Sequence, residues 1–111
     1  MAYDEVLAGR IRDLVAREPG LTEKKMFGGL AFLIDGNMAV AASGQGGIMI
    51  RVDPDQSDQL VASLKASVVE MRGRLMPGWL RVAPEHTRTS SQLAKAVRAG
   101  ITYARSLPPK R

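Results

Sequence analysis

Few side chains in this chain of 111 residues have chemistry available to them. His86 is the single histidine. It sits in a polar stretch from Pro84 to Ser90, with no cysteine beside it and no carboxylate pair at metal-ligand spacing. A metal site or a general base needs convergent partners, so an exposed loop side chain is expected. Ser43-Gly44-Gln45-Gly46-Gly47 has the composition of a nucleophile elbow or phosphate loop. Both of those need a strand-to-helix junction, and here a second strand-like run follows, which predicts a plain hairpin turn. Asp53, Asp55 and Asp58 lack the central glycine and terminal glutamate of a calcium loop; helix capping and a favourable macrodipole account for them. Lys24-Lys25 with Arg72 and Arg74 is the most suggestive charged set. Both pairs flank glycine-containing strand ends and could converge on a phosphate or an acidic peptide, although exposed strand ends commonly carry such residues to block edge pairing.

The chain has no cysteine, which excludes disulfides, thiolate zinc sites and a cysteine nucleophile. The residues assemble no acid, base and nucleophile. A protein that is not an enzyme, with no cofactor and no metal, is expected.

The elements that must position these residues are organised around 24–38, KKMFGGLAFLIDGNM. A basic pair and a Gly-Gly step lead into an apolar run over 26–34, read as the central strand of a sheet. Asp35-Gly36 then gives a hairpin signal, because a type I′ turn needs positive φ at both central positions. Asn37 to Ser43 pairs back on it, and Ile48 to Val52 makes a third strand. Before them, Tyr3, Leu7, Ile11 and Leu14 recur at helical spacing from Asp4 to about Glu18, a helix ended by Pro19-Gly20. A short link through Thr22 connects it to the sheet.

Asp53-Pro54, with Gln56 completing a capping box, predicts a second helix whose buried stripe is Leu60, Val61 and Leu64. Val68 to Arg72 and Gly78 to Val82 read as two further strands, joined through Gly73 to Pro77. Ser90 or Ser91 would cap a last helix with Leu93, Val97, Ile101 and Ala104 on one side and Lys95, Arg98 and Arg105 on the other. Pro108-Pro109 stops it. The order α-β-β-β-α-β-β-α predicts a two-layer α+β sandwich with helices on an antiparallel sheet.

Alternation places Met49 opposite Ile48 and Ile50, and Trp79 and Arg81 opposite Leu80 and Val82. The first strand is apolar on both sides: Phe27, Ala31 and Leu33 against Leu30, Phe32 and Ile34. A single helical layer cannot cover both faces, so an uncovered face with Met49 and Trp79 is one expectation and local cover by loops and termini the other. The methionines at 26, 38, 49, 71 and 76 read as core filler.

One domain over 1–111, with a basic tail at 106–111, fits the length. The longest apolar runs fall far short of the roughly 18 residues of a membrane span. Asp4 and Glu5 stand where a secretory signal would carry basic charge, which gives a cytoplasmic expectation and no membrane. The net charge of +5 favours acidic partners, nucleic acid among them, although a solvated tail explains much of it.

Lys25-Met26-Phe27-Gly28-Gly29, then Phe32 and Asp35-Gly36-Asn37-Met38, resemble the TfoX/Sxy family, specifically its N-terminal domain. A second block agrees, from Met71-Arg72-Gly73-Arg74 through Met76 to Gly78-Trp79, as does the ending Ala104-Arg105-Ser106-Leu107-Pro108. The resemblance implies a fold similar to secretion-chaperone-like domains. It also implies a bacterial regulator of natural competence (DNA uptake) genes, acting with the cyclic-AMP receptor protein and without catalytic residues. Longer members add a C-terminal helical domain, which this chain is expected to lack. The functional expectation is a regulatory or adaptor domain binding a protein partner, with a homodimer as one form. Its interface would comprise Met49, Trp79 and Arg81 with the rim Gly28, Gly29, Arg72 and Arg74. The alternative is direct nucleic-acid binding through Lys95, Arg98, Arg105, Lys110 and Arg111.

Overall fold

Asp4 opens the first helix by accepting hydrogen bonds from the backbone N–H groups of Val6 (2.9 Å) and Leu7 (3.1 Å), donors that a helix start leaves unpaired. In the computed structural model, which describes residues 3–26 and 28–109, this helix is α1 (Glu5–Val15). It buries Leu7, Ala8, Ile11 and Val15. Leu14, expected on the buried stripe, is 44% exposed. Val15, four residues beyond Ile11, holds the inward position.

Six antiparallel strands follow: β1 (Leu21–Met26), β2 (Gly29–Ile34), β3 (Asn37–Ala42), β4 (Ile48–Arg51), β5 (Ser67–Met71) and β6 (Arg74–Val82). Their spatial order is β1-β2-β3-β4-β6-β5. Two helices complete the described chain, α2 (Ser57–Leu64) and α3 (Ser90–Ser106). The two-layer α+β sandwich is therefore as expected, with one strand more. The run read as a single strand over 26–34 is broken after Met26, and the supposed link through Thr22 is β1, paired with β2 from Leu21↔Ile34 to Met26↔Gly29.

The hairpin turns are set by backbone chirality. Asp35 and Gly36 have φ of 51° and 86°, both positive as a type I′ turn requires, and they join β2 to β3. Arg72 and Gly73, with φ of 53° and 78°, repeat the device between β5 and β6. That shortens the connection expected over 73–77 to two residues, because Met71 already pairs with Arg74. Ser43 to Gly47 is the expected turn between β3 and β4, closed by Ser43 N–H to the Gly47 carbonyl at 3.0 Å.

The second helix begins through a 3-10 turn, Pro54–Gln56, after Asp53, whose side chain accepts from Asp55 N–H. The last helix is capped by Thr89 rather than Ser90 or Ser91. Thr89 accepts from Gln92 N–H at 3.0 Å and the Gln92 side chain accepts from Thr89 N–H at 3.1 Å, a reciprocal capping box.

The helices pack on one face of the sheet. Leu30, Phe32, Ile34, Val40, Ile48, Ile50, Leu80 and Val82 meet Ile11, Val15, Leu64, Leu93 and Val97 in one buried cluster. A bulge in β3 tightens the contact. Phe32 pairs with Val40 while Leu33 pairs with Met38, which leaves Ala39 as the extra residue, fully buried under α3. Gly100 passes over it so closely that a Cβ there would lie 2.2 Å from the Ala39 carbonyl oxygen. Asn37 then fixes the end of the hairpin, its side-chain amide donating to the Pro108 carbonyl at 2.9 Å.

Candidate functional site

The other face of the sheet carries a second apolar cluster and, among the described residues, no helix. Ala31, Met38 and Ala41 are buried there, with Met26, Leu33, Met49 and Trp79 packed around them and partly buried. The first strand thus divides as its alternation allows: Leu30, Phe32 and Ile34 go to the helices, and Ala31 and Leu33 go to the open side. Phe27 lies outside the described residues. Most of the methionines read as core filler serve this face or its margins; Met71 is 43% exposed.

Register orders the face into rows. One row runs Lys24↔Ala31↔Ala41↔Met49↔Arg81↔Ser67 across all six strands. The next holds Thr22, Leu33 and Met38, continued by the pair Arg51↔Trp79. The two alanines make a low centre, and the longer side chains flanking them close it over. Arg51 is clamped at one side, its guanidinium 5.3 Å from the Trp79 ring and 5.7 Å from the Tyr103 ring of α3. Each such contact is worth roughly 0.5–1 kcal/mol at an exposed site. Arg81 is half-buried and reaches the Gly46 carbonyl at 3.5 Å.

The expected rim does not surround this face. Gly28 and Gly29 sit at the β1–β2 turn and Arg72 and Arg74 at the β5–β6 turn, on opposite edges of the sheet. Five strand spacings separate those edges, about 24 Å. The turns are also at opposite ends: a Cβ on Gly44 would touch the Gly28 carbonyl, while β6 starts at the far end and reaches that end only at Val82, paired with Ile48. Lys24-Lys25 and Arg72 with Arg74 therefore do not converge on one ligand. Strand order between distant segments decides this. Gly29 has a packing reason to be glycine: a Cβ there would meet the Ala42 carbonyl oxygen at 2.1 Å.

The basic side of α3 is divided. Arg105 is held by Glu18 at 2.7 Å and donates to the Pro19 carbonyl at 3.0 Å, tying α3 to the segment that follows α1. Lys95 and Arg98 are exposed and edge a cleft of about 450 Å³ whose other lining includes Asp53, Gln56, Leu60 and Tyr103. Asp53 is already engaged as a helix cap. Lys110 and Arg111 lie outside the described residues. His86, expected in an exposed loop, is half-buried at the end of a 3-10 turn, Pro84–His86.

A second ion pair joins α1 to β1, Arg12 to Glu23 at 2.8 Å. Hydrogen bonding from Arg12 holds the Glu23 carboxyl below the usual carboxylate range, and the same contact raises Arg12. Sequence reasoning missed two features of the site, the Arg51 clamp and the Ala39 bulge. The alternation that places Met49 carries on to Arg51, but its two aromatic partners come from β6 and α3, which are far along the chain.

The family described as TfoX N-terminal domain matches residues 13–104. That span takes in the end of α1, the whole sheet, α2 and nearly all of α3. A comparison with curated proteins gave no match.

Proposed function

The chain belongs to the TfoX N-terminal domain family, and from that premise we propose that it is a non-enzymatic regulatory or adaptor domain of the competence-regulator type, acting by binding a protein. The observation that carries this reading is the helix-free sheet face. Leu33, Met49 and Trp79 are only partly buried there, over a buried floor of Ala31, Met38 and Ala41. A contiguous apolar surface of this kind is characteristic of interaction sites, and Trp and Met are enriched among residues that anchor interfaces. On α3, Arg105 is paired with Glu18, which favours the protein-binding reading over a nucleic-acid surface there. No helix of the described residues is long and apolar enough to cross a membrane.

The test compares tagged wild type with Trp79→Ala and with Met49→Asp as bait in native lysate treated with nuclease. The reading expects a protein retained by wild type and lost from both variants, with far-UV circular dichroism unchanged in at least one of them. Equal retention by folded variants, or loss of every retained protein on nuclease treatment, would overturn it.

A further inference from the structure

The two central rows of the helix-free face carry charge of one sign. In the two rows that cross its centre, the charged residues are Lys24, Arg51 and Arg81, and no carboxylate stands among them. Lys24 is exposed on the β1 side. Arg81 lies in the same row four strands away, beyond Ala31, Ala41 and Met49. Four spacings make about 19 Å. Between them is an apolar floor, lowest at the two alanines.

An α-helix with its side chains is about 10–12 Å across. A helix laid along the strand direction over Ala31, Ala41 and Met49 would leave about 4 Å on either side before reaching Lys24 and Arg81. Glutamate side chains on its flanks span that gap. Resting on the reading of this face as a protein-docking surface, we propose that its occupant is an acidic amphipathic helix of a partner protein. Its apolar stripe seats on Leu33, Met38, Met49 and Trp79, and its flanking carboxylates meet Lys24 on one side and Arg81 on the other. A second copy of this chain fits worse, because an isologous contact would bring the same cationic rows together.

The probe is a synthetic 20-residue amphipathic helix with leucines on one face and glutamates on both flanks. It is compared with the same helix carrying lysines on the flanks. Isothermal titration against the full chain should give binding of the Glu-flanked helix at least about tenfold tighter than its Lys-flanked counterpart, weakening as salt rises. The double variant Lys24→Glu/Arg81→Glu, altered at two positions outside the core, should reverse the preference, and amide chemical-shift changes should centre on β2, β3 and β4.

Equal affinity for the two helices, or binding to neither, would overturn the acidic-helix assignment. So would sedimentation showing self-association through this face, or duplex DNA that binds the wild type and not the double variant. The lysate comparison separates the two readings. A protein lost from the Trp79→Ala bait despite charge-indifferent helix binding leaves the docking face intact and removes only its acidic occupant.

Discussion

Gly100 gives the sharpest test of how the layers are held together. In an unconstrained helix interior, glycine to alanine is stabilising by about 1 kcal/mol. At Gly100 the new Cβ would lie 2.2 Å from the Ala39 carbonyl oxygen and 3.0 Å from its carbon. Ordinary contact begins near 3.5 Å, so α3 or the bulge must move by roughly 1 Å. The obstructing atoms are backbone, fixed by the pairings on either side of Ala39. A separation of that size forfeits about a quarter to a half of each dispersion contact across the interface, and α3 seats Leu93, Ala96, Val97 and Ala104 there.

Overpacking of this kind costs up to about 3 kcal/mol, and subtracting the helix-propensity gain leaves a net loss near 2 kcal/mol. For a domain of this size that lowers Tm by about 8–16 °C. Gly9→Ala is the control, since Gly9 lies inside α1 and nothing stands within 4 Å of its Cβ position. Thermal and urea unfolding followed by circular dichroism should show Gly9→Ala level with or above wild type and Gly100→Ala well below it. Parallel behaviour of the two would refute the close approach of α3 to the bulge.

Three more expectations concern single side chains. Phe32→Ala should cost about 3–5 kcal/mol in urea unfolding and Leu33→Ala under about 1.5, because Phe32 is fully buried beneath the helices while Leu33 is only partly buried on the other face; equal costs would contradict the two-face assignment. Ser57 is buried with its hydroxyl lacking a partner. Ser57→Ala should therefore raise stability by about 1 kcal/mol, and a loss of that size in the same assay would mean the hydroxyl is satisfied. Glu23 has a carboxyl depressed by Arg12, so its contribution is present above the unfolded carboxylate range and vanishes as pH falls through the folded value. The stability gap between wild type and Glu23→Gln should be widest near neutral pH, close in acid and narrow with salt. A gap that grows in acid would reverse the assigned sign.

How legible the molecule was in its sequence depended on how local each feature is. The Asp35-Gly36 turn could be read because two adjacent residues carry its whole requirement, positive φ at both positions. The β5–β6 turn escaped because arginine is an unusual occupant of positive φ, yet Arg72 adopts it. Strand β1 escaped for a different reason. Thr22, Glu23, Lys24 and Lys25 are all exposed at an edge, so no alternation marks them as a strand. Met49 and Trp79 were placed correctly on one face, since period-two alternation is a local property. The distance between Gly28-Gly29 and Arg72 with Arg74 was not legible, because it depends on which strands become neighbours.

The strand order also has consequences for how the chain folds. Four of the five pairings, β1–β2, β2–β3, β3–β4 and β5–β6, join strands consecutive in sequence. Each hairpin can form without closing a long loop, the circumstance that makes β-rich folding fast. The exception is β4–β6, whose pairs run from Ile48↔Val82 to Arg51↔Trp79. Closing it confines α2 and β5 in one intervening loop, and the hydrogen bond from Val52 N–H to the Gly78 carbonyl, at 2.7 Å, completes the seam. The entropy of that closure must be met before β6 contributes any packing. The rate-limiting event should thus be the zipping of β6 onto an already formed four-strand meander. Mutations along that seam, or within the meander that must precede it, would slow folding.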